Sequence, residues 1–389
     1  MNPPLMDLVS LKEELNNLKK QGLYRELKVL DSLNGPTIVI GKKEYILLAS
    51  NDYLGLSQHP KVKEKAKEAI ERFGCSSGAS RLVSGTTFLH CELERQLADF
   101  KKTRSALVFS SGYAANLGVI SSLTKKGDVV IIDKLNHASI IDGCRLSEAI
   151  LRIYPHKDMN SLEKILKKTQ SARLRLIITD GVFSMDGDIA PLPEIVGLAK
   201  KYKALVMVDD AHGTGVMGKE GRGTIEYFGL EGKIDISMGT LSKALGSLGG
   251  FIAGSTALIE YLKNKARSFI YSTALPPAQV ASALAALEII QTEPHHRQKL
   301  WENIQYLKQG LQNLRLDTME SESPIIPVFI GDSNKTMDVA NFLYEYGIFA
   351  PGIRPPTVPK GKSRIRLSVM ATHTKSQLDK VLWAFLRKL

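Results

Sequence analysis

Ala204–His212 reads ALVMVDDAH. Leu205–Val208 is an unbroken apolar run of strand type, without the alternation expected of a sheet with one wet face. It therefore reads as a parallel strand buried on both sides. The run stops on Asp209, Asp210 and His212, at the end of a strand where open α/β sheets gather their ligand groups. Two carboxylates in that place read equally as helix caps or a Mg²⁺ site, so the next stretch has to narrow the choice.

That stretch is Asp235–Gly250, DISMGTLSKALGSLGG. It opens as a short buried strand and then turns small, with Lys243 set among Gly239, Thr240, Ser242, Ala244, Gly246, Gly249 and Gly250. By itself Lys243 is one loop lysine among many. A lysine with few bulky neighbours and little competing charge is, however, readily shifted in pKa, which suits imine chemistry. A strand-end acid followed by such an amine is what pyridoxal phosphate requires. The acid keeps the pyridine nitrogen protonated, and the lysine holds the aldehyde.

Outward from these two stretches, strands alternate with helices. Strands are expected at Ala106–Phe109, Val129–Asp133, Leu151–Tyr154, Leu174–Thr179 and Phe251–Gly254. Helices are expected at Tyr113–Leu123, Ala138–Ala149, Met159–Thr169, Leu192–Tyr202 and Leu258–Ser268. This order means an α/β fold with a mostly parallel central sheet. Residues 51–287 are assigned to that large domain. Residues 288–389, where few strands alternate with helices, are assigned to a small C-terminal α+β domain. Residues 1–50 carry an amphipathic arm helix, about Asp7 to Glu26, and a hairpin in which Thr37–Ile40 and Tyr45–Leu48 flank GKKE.

At 389 residues with 43% apolar and 24% charged side chains, the composition is that of a soluble globular chain. No apolar run approaches the ~18 residues of a membrane span, and no membrane partner is expected. The first residues mix acids and bases without an apolar signal core, so a cytoplasmic location is expected. Cys75, Cys91 and Cys144 lie far apart without CxxC spacing, which fits a reducing compartment and gives no zinc motif; no metal is expected. The net charge of +12 is spread along helices rather than clustered with aromatics. It fits acidic or phosphorylated partners such as coenzyme A or an acidic carrier protein better than nucleic acid.

Two motif matches fail on context. Gly213–Gly218 fits GxGxxG, but the residues after it cannot open a helix for a pyrophosphate. Gly74–Gly78 fits GxSxG, but it follows a helix and lacks the strand–turn–helix elbow of a hydrolase. Others agree with one another. Ser110–Asn116, SSGYAAN, opens a helix after a strand and suits a phosphate, or else ordinary capping by Ser111. Asn136–Ser139, NHAS, puts His137 at a strand end, and Thr179–Asp188, TDGVFSMDGD, follows the next strand. Arg364 and Arg366 lie on one face of a tail strand, a fork able to take a carboxylate.

With SNDYLGL, GTLSKALG, YSTALPP and RPPTVP in the same order, these motifs resemble the α-oxoamine synthases along nearly the whole chain. Those are pyridoxal-phosphate enzymes of the aspartate-aminotransferase fold (fold type I). The resemblance implies that Lys243 binds the cofactor aldehyde, Asp209 pairs with the pyridine nitrogen and His137 stacks on the ring. His212 and Ser184 would bond the ring oxygen. Gly112, Tyr113 and Thr240 would hold or flank the phosphate, with Ser272 or Thr273 of a neighbouring subunit. Arg366 would take the amino-acid carboxylate with Asn51 nearby, and Arg25 and Thr357 would line the acyl side. It also implies a homodimer with its active sites at the interface. Within the family, Arg354–Pro359 resembles the branch that condenses L-alanine with a pimeloyl thioester, of coenzyme A or a carrier protein. The glycine C-acetyltransferase branch is the alternative.

Overall fold

A computed structural model describes residues 8–21 and 23–389. The expected start of the arm helix at Asp7 lies outside them. Seven strands form the central sheet, in the spatial order Ser105–Phe109, Gly250–Gly254, Ile236–Thr240, Leu205–Asp209, Arg175–Asp180, Val129–Asp133, Ile150–Tyr154. Gly250–Gly254 runs antiparallel to both its neighbours, and the pairs from Ile236–Thr240 onward are parallel. Side chains alternate across these strands. Val130 and Ile132 pack on one face with Ala115, Val119 and Ile140 from helices Gly112–Leu123 and Ala138–Ser147. Val129 and Ile131 pack on the other with Leu162, Leu166 and Ile195 from Met159–Lys168 and Leu192–Tyr202. Both faces are covered, which is why the strands read as continuous apolar runs.

The parallel arrangement brings the carboxyl ends of neighbouring strands to one edge. Asp133, Asp180, Asp209 and Thr240 are each the last residue of a strand, and Asp180 stands in register with Asp209. Ser110–Gly112 leaves Phe109 at that same edge and enters helix Gly112–Leu123.

The C-terminal part holds a three-stranded antiparallel sheet, Ile325–Gly331, Ser363–Ser368 and Gly352–Ile353, packed against helices Ser333–Glu345 and Lys375–Lys388. The N-terminal hairpin is extended by Ile348–Phe349, which pairs in parallel with Lys43–Leu47. Pairing across 300 residues leaves no local trace in a sequence.

Four expectations need correction. The arm helix is Leu8–Lys20 and not helical to Glu26. Two lysines in its last turn suit the carboxyl end of the dipole, and the Leu23 amide folds back onto the Leu18 carbonyl, closing the helix. The hairpin turn is Gly41–Lys42 alone, both in the left-handed region, so the second strand starts at Lys43 rather than Tyr45. Helix Leu258–Ser268 is two helices, Thr256–Lys265 and Arg267–Ile270, divided at the extended Ala266. The tail arginines do not form one fork, as described below.

Candidate active site

A cleft of about 190 Å³ opens at the strand-end edge. Gly112, Tyr113, His137, Ser184, Asp209, His212, Thr240 and Lys243 all line it, so the expected cofactor residues of this chain meet in one place. Lys243 and Asp209 share the cavity. Burial lowers the Lys243 amine to about 8, against the pull of Asp209 and Asp180 and with a further push from Arg366. Near neutral pH about a tenth of it is therefore the free base, far more than for an ordinary lysine.

Asp209 is fixed from two sides. Its Oδ2 accepts from Asn116 Nδ2 at 2.8 Å and its Oδ1 from the Ala211 amide at 3.1 Å. Asn116 lies one helical turn beyond Gly112, which aims its amide at the strand end. The same amide donates to Ser139 Oγ at 2.8 Å, and Ser139 Oγ lies 2.8 Å from His137 Nδ1. Acid and ring are thus set by one short network. Burial pushes the Asp180 carboxyl well up, and the charge of Asp209 beside it adds to this.

His137 and His212 are both lowered. Burial is the main cause for His137, offset by Asp209 and reinforced by Lys243. Burial is also the main cause for His212, with Lys243, Arg366 and His137 adding to it. His212 Nδ1 shares a hydrogen bond of 2.6 Å with the Tyr53 hydroxyl, which lies 3.2 Å from Asn51 Oδ1. Asn51 Oδ1 accepts from Arg366 at 3.2 Å, and Arg366 Nε donates to the Ser184 carbonyl at 2.6 Å. Arg366 and Asn51 are therefore joined to the cleft wall. Arg364, two residues away on the same face, is taken up by an ion pair with Asp186.

Beside Gly112 of the cleft lining, Ser111 caps its helix by accepting from the Ala114 amide at 3.0 Å. The amides of the first turn are left as anion donors. A Cβ on Gly112 would come within 2.9 Å of Met238 Cε and 3.7 Å of Thr240 Oγ1, so the backbone there is bare for a close ligand. Tyr113 turns its hydroxyl to Asp142 and its ring edge toward His137. The cleft is thus lined by a helix start, Thr240, an acid and an amine. That set fits the phosphate, pyridine nitrogen and aldehyde of pyridoxal phosphate.

Ser272 and Thr273 are not in this cleft; they line a separate small cavity with Arg81 and His90. Arg25 and Thr357 face each other across a 3.2 Å hydrogen bond in a larger cleft of about 650 Å³, between the segment after the arm helix and the C-terminal part. Sequence reasoning missed Asn116, Ser139, Asp180 and Tyr53 as site residues. Each lies inside a motif already singled out, at a position whose direction only the fold reveals.

The family model for aminotransferase class I and II matches residues 43–385. The 8-amino-7-oxononanoate synthase of Thermoanaerobacter pseudethanolicus is 53% identical over 97% of this chain and 96% of its own. The 8-amino-7-oxononanoate synthase 1 of Bacillus subtilis is 50% identical over 96% and 95%. A solved structure of SPT with its PLP internal aldimine superposes with a TM-score of 0.94 at 37% identity, covering 100% of this chain and 98% of that one. On fold, motif order and these likenesses, the chain belongs to the aminotransferase class I and II family.

Proposed function

We propose that this chain condenses L-alanine with a pimeloyl thioester to give 8-amino-7-oxononanoate, CO₂ and the free thiol, a step of biotin biosynthesis. The reading is supported by relatives of that name at half identity or more along nearly the whole length. The observation that carries it is the shared cavity of Lys243 and Asp209.

Pyridoxal 5′-phosphate, when bound, supplies an aldehyde for the amine to join and a ring that draws electrons from the adjoining carbon. The helix start at Gly112 and Tyr113, with Thr240, holds its phosphate, and His137 covers the ring face. Asp209 keeps a proton on the pyridine nitrogen, and His212 and Ser184 bond the ring oxygen. Arg366 takes the alanine carboxylate beside Asn51. Lys243 Nζ, lowered toward neutrality, accepts the α-proton of alanine and later returns a proton to the same carbon after CO₂ has left. Arg25 and Thr357 line the acyl side.

The active unit is a homodimer, with Ser272 and Thr273 completing the neighbouring subunit's phosphate site. Leu11 and Leu15 on the arm helix and Leu82, Val83 and Tyr271 beside Ser272 are exposed on the single chain, which suits burial by a second copy. Among the described residues no helix is long and apolar enough to cross a membrane. Three unpaired cysteines, two of them exposed, suit the reducing cytoplasm.

The test is CO₂ release from the purified holoenzyme, with alanine or glycine against pimeloyl and acetyl thioesters. Alanine with the pimeloyl thioester is expected to be fastest. Glycine with the acetyl thioester outrunning it overturns the choice of branch in favour of glycine C-acetyltransferase chemistry.

A further inference from the structure

Away from the cleft, three helix ends converge on a group of imidazoles. His59 precedes helix Pro60–Phe73, Glu293 follows helix Pro277–Thr292, and His295 and His296 open helix His295–Asn313. One ligand-capable atom from each of His59, Glu293 and His296 lies within 4.8 Å of the other two.

Of the imidazole nitrogens here, His59 Nδ1 is buried and makes no hydrogen bond, and buried His296 Nε2 has only a long 3.4 Å contact to Glu293 Oε2. A buried polar atom without a partner costs about 1–3 kcal/mol, so native structures nearly always give it one. His59 does not use its side chain to cap its helix either. The group therefore holds imidazole nitrogens that the protein itself satisfies poorly or not at all.

The spacing fits an ion. Tetrahedral zinc with bonds of ~2.0–2.1 Å sets its ligand atoms roughly 3.3 Å apart and the centroids of two bound imidazoles roughly 5–6 Å apart. His296 Nε2 lies 3.4 Å from Glu293 Oε2, and the His59 and His296 rings are 5.8 Å apart and nearly perpendicular. All three ligand-capable atoms already lie within 4.8 Å of one another, so a small inward movement completes the set. A fourth donor stands at the rim, with the exposed His295 Nε2 3.8 Å from the same Glu293 oxygen.

We propose that His59, Glu293 and His296 form a binding site for a zinc-class divalent ion, separate from the cofactor cleft. Two imidazoles and one carboxylate with an open fourth place is a donor set that zinc takes. The ion ties the start of one helix to the junction of two others, so it braces the passage from the central sheet to the C-terminal part. His59 lies more than 230 residues before Glu293 and His296, which is why no spacing motif announces the three together.

The holoenzyme, stripped with chelator and re-equilibrated with Zn²⁺, should retain about one ion per chain after gel filtration and should melt at a higher temperature with Zn²⁺ than without. His296→Ala and Glu293→Gln should each weaken Zn²⁺ binding by about tenfold or more and remove the melting shift. Replacing the exposed thiols, Cys75→Ser with Cys91→Ser, should leave both in place. Co²⁺ in the same site should show visible d–d bands without thiolate charge transfer. Zinc uptake that survives His296→Ala and Glu293→Gln, or that is lost with the two thiols, overturns the proposal, as does a wild-type protein that retains no Zn²⁺.

Discussion

Asp209 and Asp210 are neighbours in sequence and nearly equal in burial, yet the structure puts them to opposite uses. Asp209 ends its strand facing the cleft, held by Asn116 and the Ala211 amide, with Lys243 in the same cavity. Asp210 turns into the protein. Its Oδ2 meets Lys101 Nζ at 3.1 Å, and its Oδ1 accepts from the Thr224 hydroxyl at 2.8 Å. Lys101 is itself buried and also donates to Thr214 Oγ1 at 2.9 Å. One carboxylate is fixed facing an open cavity, and the other neutralises a charge that never leaves the interior. Alternation along an extended backbone is enough to part them.

The sharpest way to break this comparison is to remove each charge while keeping its shape. Asp209→Asn should lower the condensation rate by roughly 10²–10⁴-fold, the range for a misplaced proton partner, with little change in melting temperature. Asp210→Asn should do the reverse. Breaking a buried pair and leaving Lys101 uncompensated costs about 3–5 kcal/mol, read by denaturant unfolding, while the rate per folded molecule stays close to wild type. If Asp210→Asn instead abolishes turnover at unchanged stability, the division of labour drawn here is wrong.

The sequence could show that two acids end a buried strand. It could not show which one faces the cleft, because Lys101, more than 100 residues earlier, carries no mark of its partner. The same limit runs through the molecule. The central sheet was legible because strands covered on both faces must be apolar throughout, and Val129–Asp133 and Leu205–Asp209 stand where the pattern put them. Gly352–Ile353 is two residues long and was invisible, as was the pairing of Ile348–Phe349 with the N-terminal hairpin. In the cleft, the residues found by motif were those whose types announce a chemistry, an amine, an acid, imidazoles and a bare helix start. Those missed, such as Asn116 and Asp180, hold other residues in place, and their types are common in any loop or helix start.

A third charge cluster lies between these two extremes. His156 bridges two buried acids, with Nδ1 3.0 Å from Asp133 Oδ1 and Nε2 2.9 Å from Asp188 Oδ2, its ring edge-on to Phe183. Lys157 joins Asp188 at 3.0 Å and Glu320 at 3.2 Å. Asp188 ends the loop that carries Ser184. That loop is pinned again at Gly187, whose left-handed backbone lies so close to Ile325 that a Cβ would be 2.1 Å from its carbonyl oxygen. The cluster thus holds a wall of the cleft without facing a ligand.

Burial opposes charge on His156, but its bonds to Asp133 and Asp188 prevail and raise it to about 9. A group raised on folding stabilises fully below its unfolded value, near 6.5, and that contribution fades as pH climbs through about 9. It is worth at most about 3 kcal/mol. Unfolding free energy should therefore decline between about pH 6.5 and 9.5 in the wild type. In His156→Gln, which cannot take up the proton, the curve should be flatter and lower at the acid end, converging with wild type at the alkaline end. If the two run parallel across that window, His156 is no more protonated in the folded chain than in the unfolded one, and the Ser184 loop is held by Gly187 and the arginines alone.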